Sequence, residues 1–203
     1  MRDRHTSDSI SNYNKLAKDY DNTFDGRFTK DLKEKLVENA RLPRNARVLD
    51  VACANGSLLR KLNDANPIEG YGIDISDEMI RVAKDLHPSF SFSVSNSSAL
   101  GFDDGFFDAI TVCAAFHHFS EPSRFLRESK RVLKSGGLLY IMEPYFNPAI
   151  RALFNMLIPF MRMGDVKVYT EREMQGLIAS AGLVSVGYPR QTGHGCLYVA
   201  RKP

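Results

Sequence analysis

The 203-residue sequence predicts an α/β domain whose doubly wound, mostly parallel sheet carries helices on both faces, and three observations predict it. The stretch from Arg47 to Leu59, RVLDVACANGSLL, runs apolar to Asp50, crosses very small residues to Gly56, and resumes a helical pattern at Leu58 and Leu59. That is a buried strand, a tight turn and a helix start. A second run, Glu69 to Asp74 (EGYGID), ends in another acid eighteen positions past Gly56. From there to Glu143, strand-like runs alternate with helical periodicities, the pattern of parallel strands joined by crossover helices.

Taken in order, Tyr13, Ala17, Tyr20 and Phe24 recur at helical spacing, and Phe28, Leu32 and Leu36 continue it. Two amphipathic helices therefore precede the first strand. A helix from about Ser57 to Ala65 is stopped near Asn66-Pro67. Ser76 caps the next, with Asp77 and Glu78 in its first turn, an inner face of Met79, Ile80, Ala83 and Leu86, and Pro88 beyond its end. Phe90 to Val94 alternates like a third strand, and Phe107 to Cys113 is a continuous apolar fourth. Ser120, Glu121 and Pro122 open a helix lined by Phe125, Leu126, Ser129, Val132 and Leu133, which Gly136-Gly137 is expected to end.

The segment 147–163, NPAIRALFNMLIPFMRM, breaks the rhythm: it is almost wholly apolar, with Arg151 and Arg162 as its only charges. Pro159 and its length rule out a membrane span. It reads as a helix over the sheet, a lid on an apolar substrate, or a dimer or membrane-surface contact; its methionines and phenylalanines favour the lid. Thr170 and Glu173 form a capping box for a helix through Ile178 that closes at Ala181-Gly182. Leu183 to Tyr188 and Cys196 to Ala200 then read as two short strands.

Composition narrows the function. With 43% hydrophobic and 25% charged residues the chain is an ordinary globule, expected to be one domain over 1–203 with a helical cap over 1–45 and an apolar insertion over 147–168. A net charge of +3 without a Lys/Arg-rich run gives no case for nucleic acid. The three cysteines, Cys53, Cys113 and Cys196, are scattered, and no Cys/His ligand spacing appears, so neither disulfides nor a metal site is expected. The polar start MRDRHTSDS lacks a signal-peptide core, which points to the cytoplasm.

A nucleoside-containing cofactor is implied by an acid at the tip of the second strand, roughly 20 residues past a small-residue turn, where it can accept hydrogen bonds from a ribose diol. The dinucleotide fingerprint would need glycine at 52, 54 and 57, where the chain has Ala52, Ala54 and Ser57, so a nicotinamide reductase is disfavoured. Asp50 to Gly56, D-V-A-C-A-N-G, instead resembles motif I of class I S-adenosylmethionine-dependent methyltransferases, usually D-x-G-x-G-x-G. SNSSALGFDDGFFD at 95–108 resembles the family's G-D-A-x-x-L-P-F…G-x-F-D segment, with Asn96 in place of aspartate. RVLKSGGLLYIMEP resembles its R-V-L-K-P-G-G turn and fifth strand, and YNKLAKDYD its entry helix. In style the chain is most similar to the small-molecule enzymes of ubiquinone and menaquinone biosynthesis.

The resemblance implies a Rossmann-like seven-stranded sheet whose C-terminal hairpin supplies one antiparallel strand. It also implies S-adenosylmethionine as cofactor. The loop Ala52, Ala54, Asn55 and Gly56 would lie against the methionine moiety, Asp50 would help hold its amino group, and Asp74, followed by Ile75, would bind the ribose hydroxyls. Asn96 and the backbone N–H of Ser97 would hold the adenine, Met79 would pack beside the adenosine, and Cys113 and Ala114 would line the methionine side. Tyr13 and Tyr20 either close over the cofactor or are half-buried packing residues. Methyl transfer needs mainly alignment and exclusion of water, with a base where the acceptor must lose a proton; His117, past the fourth strand, is the candidate. The expected acceptor is a small apolar or aromatic molecule, and homodimerisation is left open. The alternative is a noncatalytic relative, since Ala52 and Ala54 replace glycines of motif I.

Overall fold

The computed structural model describes residues 4–161 and 163–203, so Arg162 lies outside the described residues. Strands β1 (Ala46–Val51), β2 (Ile68–Asp74), β3 (Ser91–Val94), β4 (Phe107–Cys113), β5 (Leu133–Pro144), β6 (Val184–Ser185), β7 (Arg190–Thr192) and β8 (Gly195–Arg201) form one sheet. Its order is β3-β2-β1-β4-β5-β8-β6, with β7 also paired to β8. The first five strands are parallel, and β8 runs antiparallel to β5, β6 and β7. Because β5 takes one edge of β8, β6 and β7 share the other, pairing with Arg201–Ala200 and Leu197–Gly195 in succession. The expected seven strand positions are therefore present, with the last one interrupted. The run expected from Leu183 to Tyr188 pairs only at Val184–Ser185, because four residues, 186–189, oppose two of β8 and must bulge.

Successive strand residues fall into opposite cores, as a sheet covered on both faces requires. Leu49, Ile110, Leu139 and Ile141 pack with Phe125, Leu126 and Ile178 of helices α5 (Pro122–Val132) and α7 (Glu171–Ser180). Val48, Ala109, Tyr140 and Met142 pack with Leu32, Leu36, Leu58, Leu62 and Ile80 of α2 (Phe24–Asn39), α3 (Ser57–Ala65) and α4 (Asp77–Leu86). At roughly 25 cal/mol per Å² of apolar surface, these two layers are the main stabilising term.

Two boundaries differ from expectation. The run from Tyr13 to Phe24 is not one helix: α1 (Arg4–Leu16) gives way to a 3₁₀ segment, Ala17–Asn22, in which Asp19 leaves helical geometry at φ −129°. Nor does Gly136-Gly137 end α5, which stops at Val132. The pair lies inside β5, where Leu133 pairs with Phe107 but Leu138 already pairs with Ala109. Gly136 takes φ 81° in that bulge, and a Cβ on Gly137 would stand 2.9 Å from the Lys134 carbonyl. A left-handed glycine serves a strand bulge as readily as a helix end, so sequence alone misassigned it.

Candidate active site

The C-terminal ends of β1, β2, β4 and β5 converge on two adjoining cavities, where ligands of open α/β sheets bind. The first, about 770 Å³, is lined by Ala52, Ala54, Asp74, Ile75, Asn96, Ser97, Cys113 and Ala114, and by Tyr13 and Tyr20 from the N-terminal helices. Ten predicted cofactor residues therefore meet in one place. Thr6, Ser9, His118 and Phe119 also line it, and no sequence pattern marked Thr6, Ser9 or Phe119.

Asp74 is buried at the tip of β2 and accepts the Ala54 N–H on Oδ2 and the Ser76 N–H on Oδ1, each at 2.9 Å. Burial raises its pKa, against those backbone donors. Each oxygen retains accepting capacity toward a ligand hydroxyl. Asn96 closes an Asx turn by accepting the Ser98 N–H at 2.9 Å, which leaves its amide N–H₂ for a ligand. Ser76 caps α4 by accepting the Met79 N–H at 3.0 Å, which fixes the acid-to-helix corner.

The small-residue bend is strained. Ala52, Ala54 and Ala114 sit at φ 60°, 47° and 51°, in the left-handed region that glycine tolerates best. All three line the cavity. Gly56, at φ 80°, caps α3 away from the cavity, and a Cβ there would stand 2.8 Å from the Phe92 ring. Asn55 accepts the Ser57 N–H beside it at 3.3 Å. Asp50 is buried behind the bend and accepts the Thr111 hydroxyl at 2.7 Å; burial pushes its pKa up to about 7, against Thr111 and Lys33. Met79 packs with Ala17 and Tyr20, forming the support on which the Tyr20 ring rests. Asp50, Asn55, Gly56 and Met79 thus shape the cavity without lining it. Lys33, unforeseen, is buried, donates to Ser57 Oγ at 2.8 Å and lies 5.3 Å from the Tyr20 ring centroid.

The second cavity, about 1040 Å³, has an apolar end of Phe24, Phe28, Phe146, Phe154, Met161 and Met163. Its polar end holds Asp25, His117, His118, Glu143 and Asp165. Tyr13, Tyr20, Ala114 and His118 belong to both cavities and form their common wall. Glu143, at the end of β5, accepts the N–H groups of Ala115 and Phe116 at 2.9 Å, that of His117 at 3.2 Å, and binds His117 Nδ1 at 2.6 Å. Burial opposes charge on His117, but Glu143 outweighs it and the pKa rises. His118, whose Nε2 lies 3.1 Å from the Tyr13 hydroxyl, is held neutral by burial and by its charged neighbour. Glu143 was missed in the sequence, although an acid closing a buried strand, the signal that marked Asp74, could have found it. Asp165 had no such signal.

The likenesses to known proteins agree with this geometry. A model of the methyltransferase domain matches residues 49–141, from β1 into β5. The chain is 38% identical over 112 residues to demethylmenaquinone methyltransferase of Thermotoga maritima, covering 55% of this chain and 49% of that one. It is 28% identical over 186 residues to ubiquinone/menaquinone biosynthesis C-methyltransferase UbiE of Pectobacterium carotovorum, covering 77% and 74%. It thus spans about half the length of the first relative and three quarters of the second. In fold it resembles a SAM-dependent methyltransferase from Aquifex aeolicus (TM-score 0.69, 23% identity, full coverage of both chains). It also resembles a putative methyltransferase solved in complex with the Trm112 activator of Haloferax volcanii (TM-score 0.79, 19% identity, covering 100% and 99%). No described helix is long and apolar enough to cross a membrane.

Residues 49–141 match the methyltransferase domain, and the strand order, the acid-tipped second strand and the cavity above it agree with the class I, S-adenosylmethionine-dependent form of that domain. Over the matched stretches the chain is similar to small-molecule methyltransferases of quinone biosynthesis. The noncatalytic alternative is not favoured by these likenesses, despite the two alanines.

Proposed function

We propose that the chain methylates a small aromatic acceptor of the hydroquinone type, held in the second cavity while S-adenosylmethionine occupies the first. The common wall of Tyr13, Tyr20, Ala114 and His118 carries this reading, because donor and acceptor brought to it are within reach of each other without crossing solvent. When bound, the cofactor supplies a methyl group already activated on a sulfonium. The chain's own task is alignment and dryness. Asp74 would take the ribose hydroxyls, Asn96 and Ser97 the adenine edge, and the bend at Ala52 and Ala54 the amino-acid tail, with Asp50 as counter-charge behind it.

On the acceptor side, the rings of Phe28, Phe146 and Phe154 suit a flat apolar molecule, and the carboxylate–imidazole end suits its hydroxyl oxygen. His117, backed by Glu143, is the residue we assign to handling the hydroxyl proton. The names of the quinone-biosynthesis relatives support the same acceptor class. Calorimetry with S-adenosylhomocysteine tests the cofactor half, and an empty site gives no heat. Methylation of a panel of apolar hydroquinones and charged polar phenols tests the acceptor half. Equal turnover of the polar members would overturn the apolar assignment.

A further inference from the structure

We infer that His117, His118 and Asp165 form a binding site for one divalent first-row transition-metal ion of the zinc class, placed in the wall of the acceptor cavity. His117 Nε2 and His118 Nδ1 each lie 3.5 Å from the same Asp165 oxygen, Oδ1. The three atoms all fall within 4.8 Å of one another. Ligand atoms about 2.0–2.1 Å from a tetrahedral ion are roughly 3.3 Å apart, so the spacing needs little adjustment. Two imidazoles and one carboxylate suit zinc, iron, cobalt or nickel better than magnesium or calcium.

Three further observations separate this arrangement from a chance cluster. The ring nitrogens that face away from Asp165 are already engaged: His117 Nδ1 with Glu143 at 2.6 Å and His118 Nε2 with the Tyr13 hydroxyl at 3.1 Å. Such outer partners fix the tautomer and aim the free nitrogen of metal-bound histidines. His118 Nδ1, shielded from solvent, makes no hydrogen bond, an orphan that an ion would satisfy. Backbone bonds hold the third ligand in place: the N–H groups of Val166 and Lys167 both donate to the His117 carbonyl, at 2.8 and 3.2 Å. Gly164 lets the preceding turn press on α1, since a Cβ there would stand 2.0 Å from Ser9 Oγ.

Asp165 lies 47 positions beyond His118 (165 minus 118), so no ligand spacing is visible in the sequence. Three protein ligands leave a fourth position, and because all three line the second cavity an oxygen of the acceptor would take it. Only this last role rests on the methyltransferase reading; with the ion bound, His117 would serve as a ligand in place of a base, and the ion would acidify the bound hydroxyl so that its proton is lost to water.

The test uses full-length protein stripped by chelation, titrated with Co²⁺ while visible absorption is recorded and with Zn²⁺ in the calorimeter. One equivalent should bind and give the intense bands of low-coordinate cobalt. Asp165→Asn and His118→Gln should each abolish that signal, and Glu143→Gln should weaken binding by about 10- to 100-fold. His194→Gln, which removes an exposed His–Asp pair, should leave it unchanged. No cobalt band, or one that survives Asp165→Asn, overturns the proposal. S-adenosylhomocysteine heat in each variant reports that it is folded, and His117→Gln substitutes for any variant that is not. Cobalt binding without S-adenosylhomocysteine heat would leave the metal site standing and remove the cofactor reading instead.

Discussion

At the residue scale the alanines of the bend pose the sharpest question, because glycine is what their backbone asks for. Ala52 and Ala54 sit at φ 60° and 47°. The left-handed conformation costs an L-residue about 1–2 kcal/mol, and glycine's greater freedom in the unfolded chain returns only part of that. Ala54→Gly should therefore stabilise the protein by about 1 kcal/mol in urea denaturation without weakening S-adenosylhomocysteine binding. A marked loss of affinity would mean that the methyl group itself contacts the ligand. Asp50 gives a second prediction. Its pKa of about 7 in the fold lies above the unfolded value of about 3.9, chiefly through burial. Its contribution to stability is then full below pH 4 and lost as pH climbs through 7, by up to about 1.4 kcal/mol per pH unit. Asp50→Asn should flatten that part of the stability profile. Parallel wild-type and variant profiles would show that the carboxylate is charged in the fold already.

At the scale of elements, α6 (Pro148–Leu157) differs from every other helix, since none of its residues is buried. Ile150, Leu153 and Met156 point outward, while Phe154 lines the acceptor cavity and stacks on Phe146 at 5.8 Å. Its anchors are polar: Asn147 accepts the Ile150 N–H, and Asn155 bonds both the N–H and the carbonyl of Val168. A helix held this way has little local stability and can open without disturbing the sheet. We propose that it is the lid of the acceptor cavity. Phe154→Ala should raise KM for an apolar acceptor about tenfold, one lost aromatic contact, and leave S-adenosylhomocysteine affinity unchanged. A fall in cofactor affinity instead would place the helix on the wrong cavity.

At the scale of the whole molecule, what was legible in the sequence is what local chemistry dictates. The strand tips, the capping residues Ser76 and Thr170 and the small-residue bend each carry their signal within a few positions. Asp165, Glu143 as a partner of His117, and Ser9 in the cavity wall are set by contacts between segments far apart in the chain, for which one sequence holds no pattern. The same division bears on stability. Helix α1 buries only Thr6 and Ser9, yet supplies Thr6, Ser9 and Tyr13 to the cofactor cavity and is tied to α4 by Asn14 donating to Asp77 at 2.9 Å. It completes a site more than it completes a core, so its order should depend on the ligand. A ligand at 100 times its Kd stabilises the bound form by about 2.7 kcal/mol, and segments touching it gain most when they otherwise open locally. Amide exchange across 4–22 should therefore slow at least tenfold on adding S-adenosylhomocysteine, whereas α6, which contributes no residue to the cofactor cavity, should exchange as before. Equal slowing of both would make the helical cap an ordinary part of one cooperative unit, and no slowing of α1 would take Tyr13 and Tyr20 out of the cofactor site.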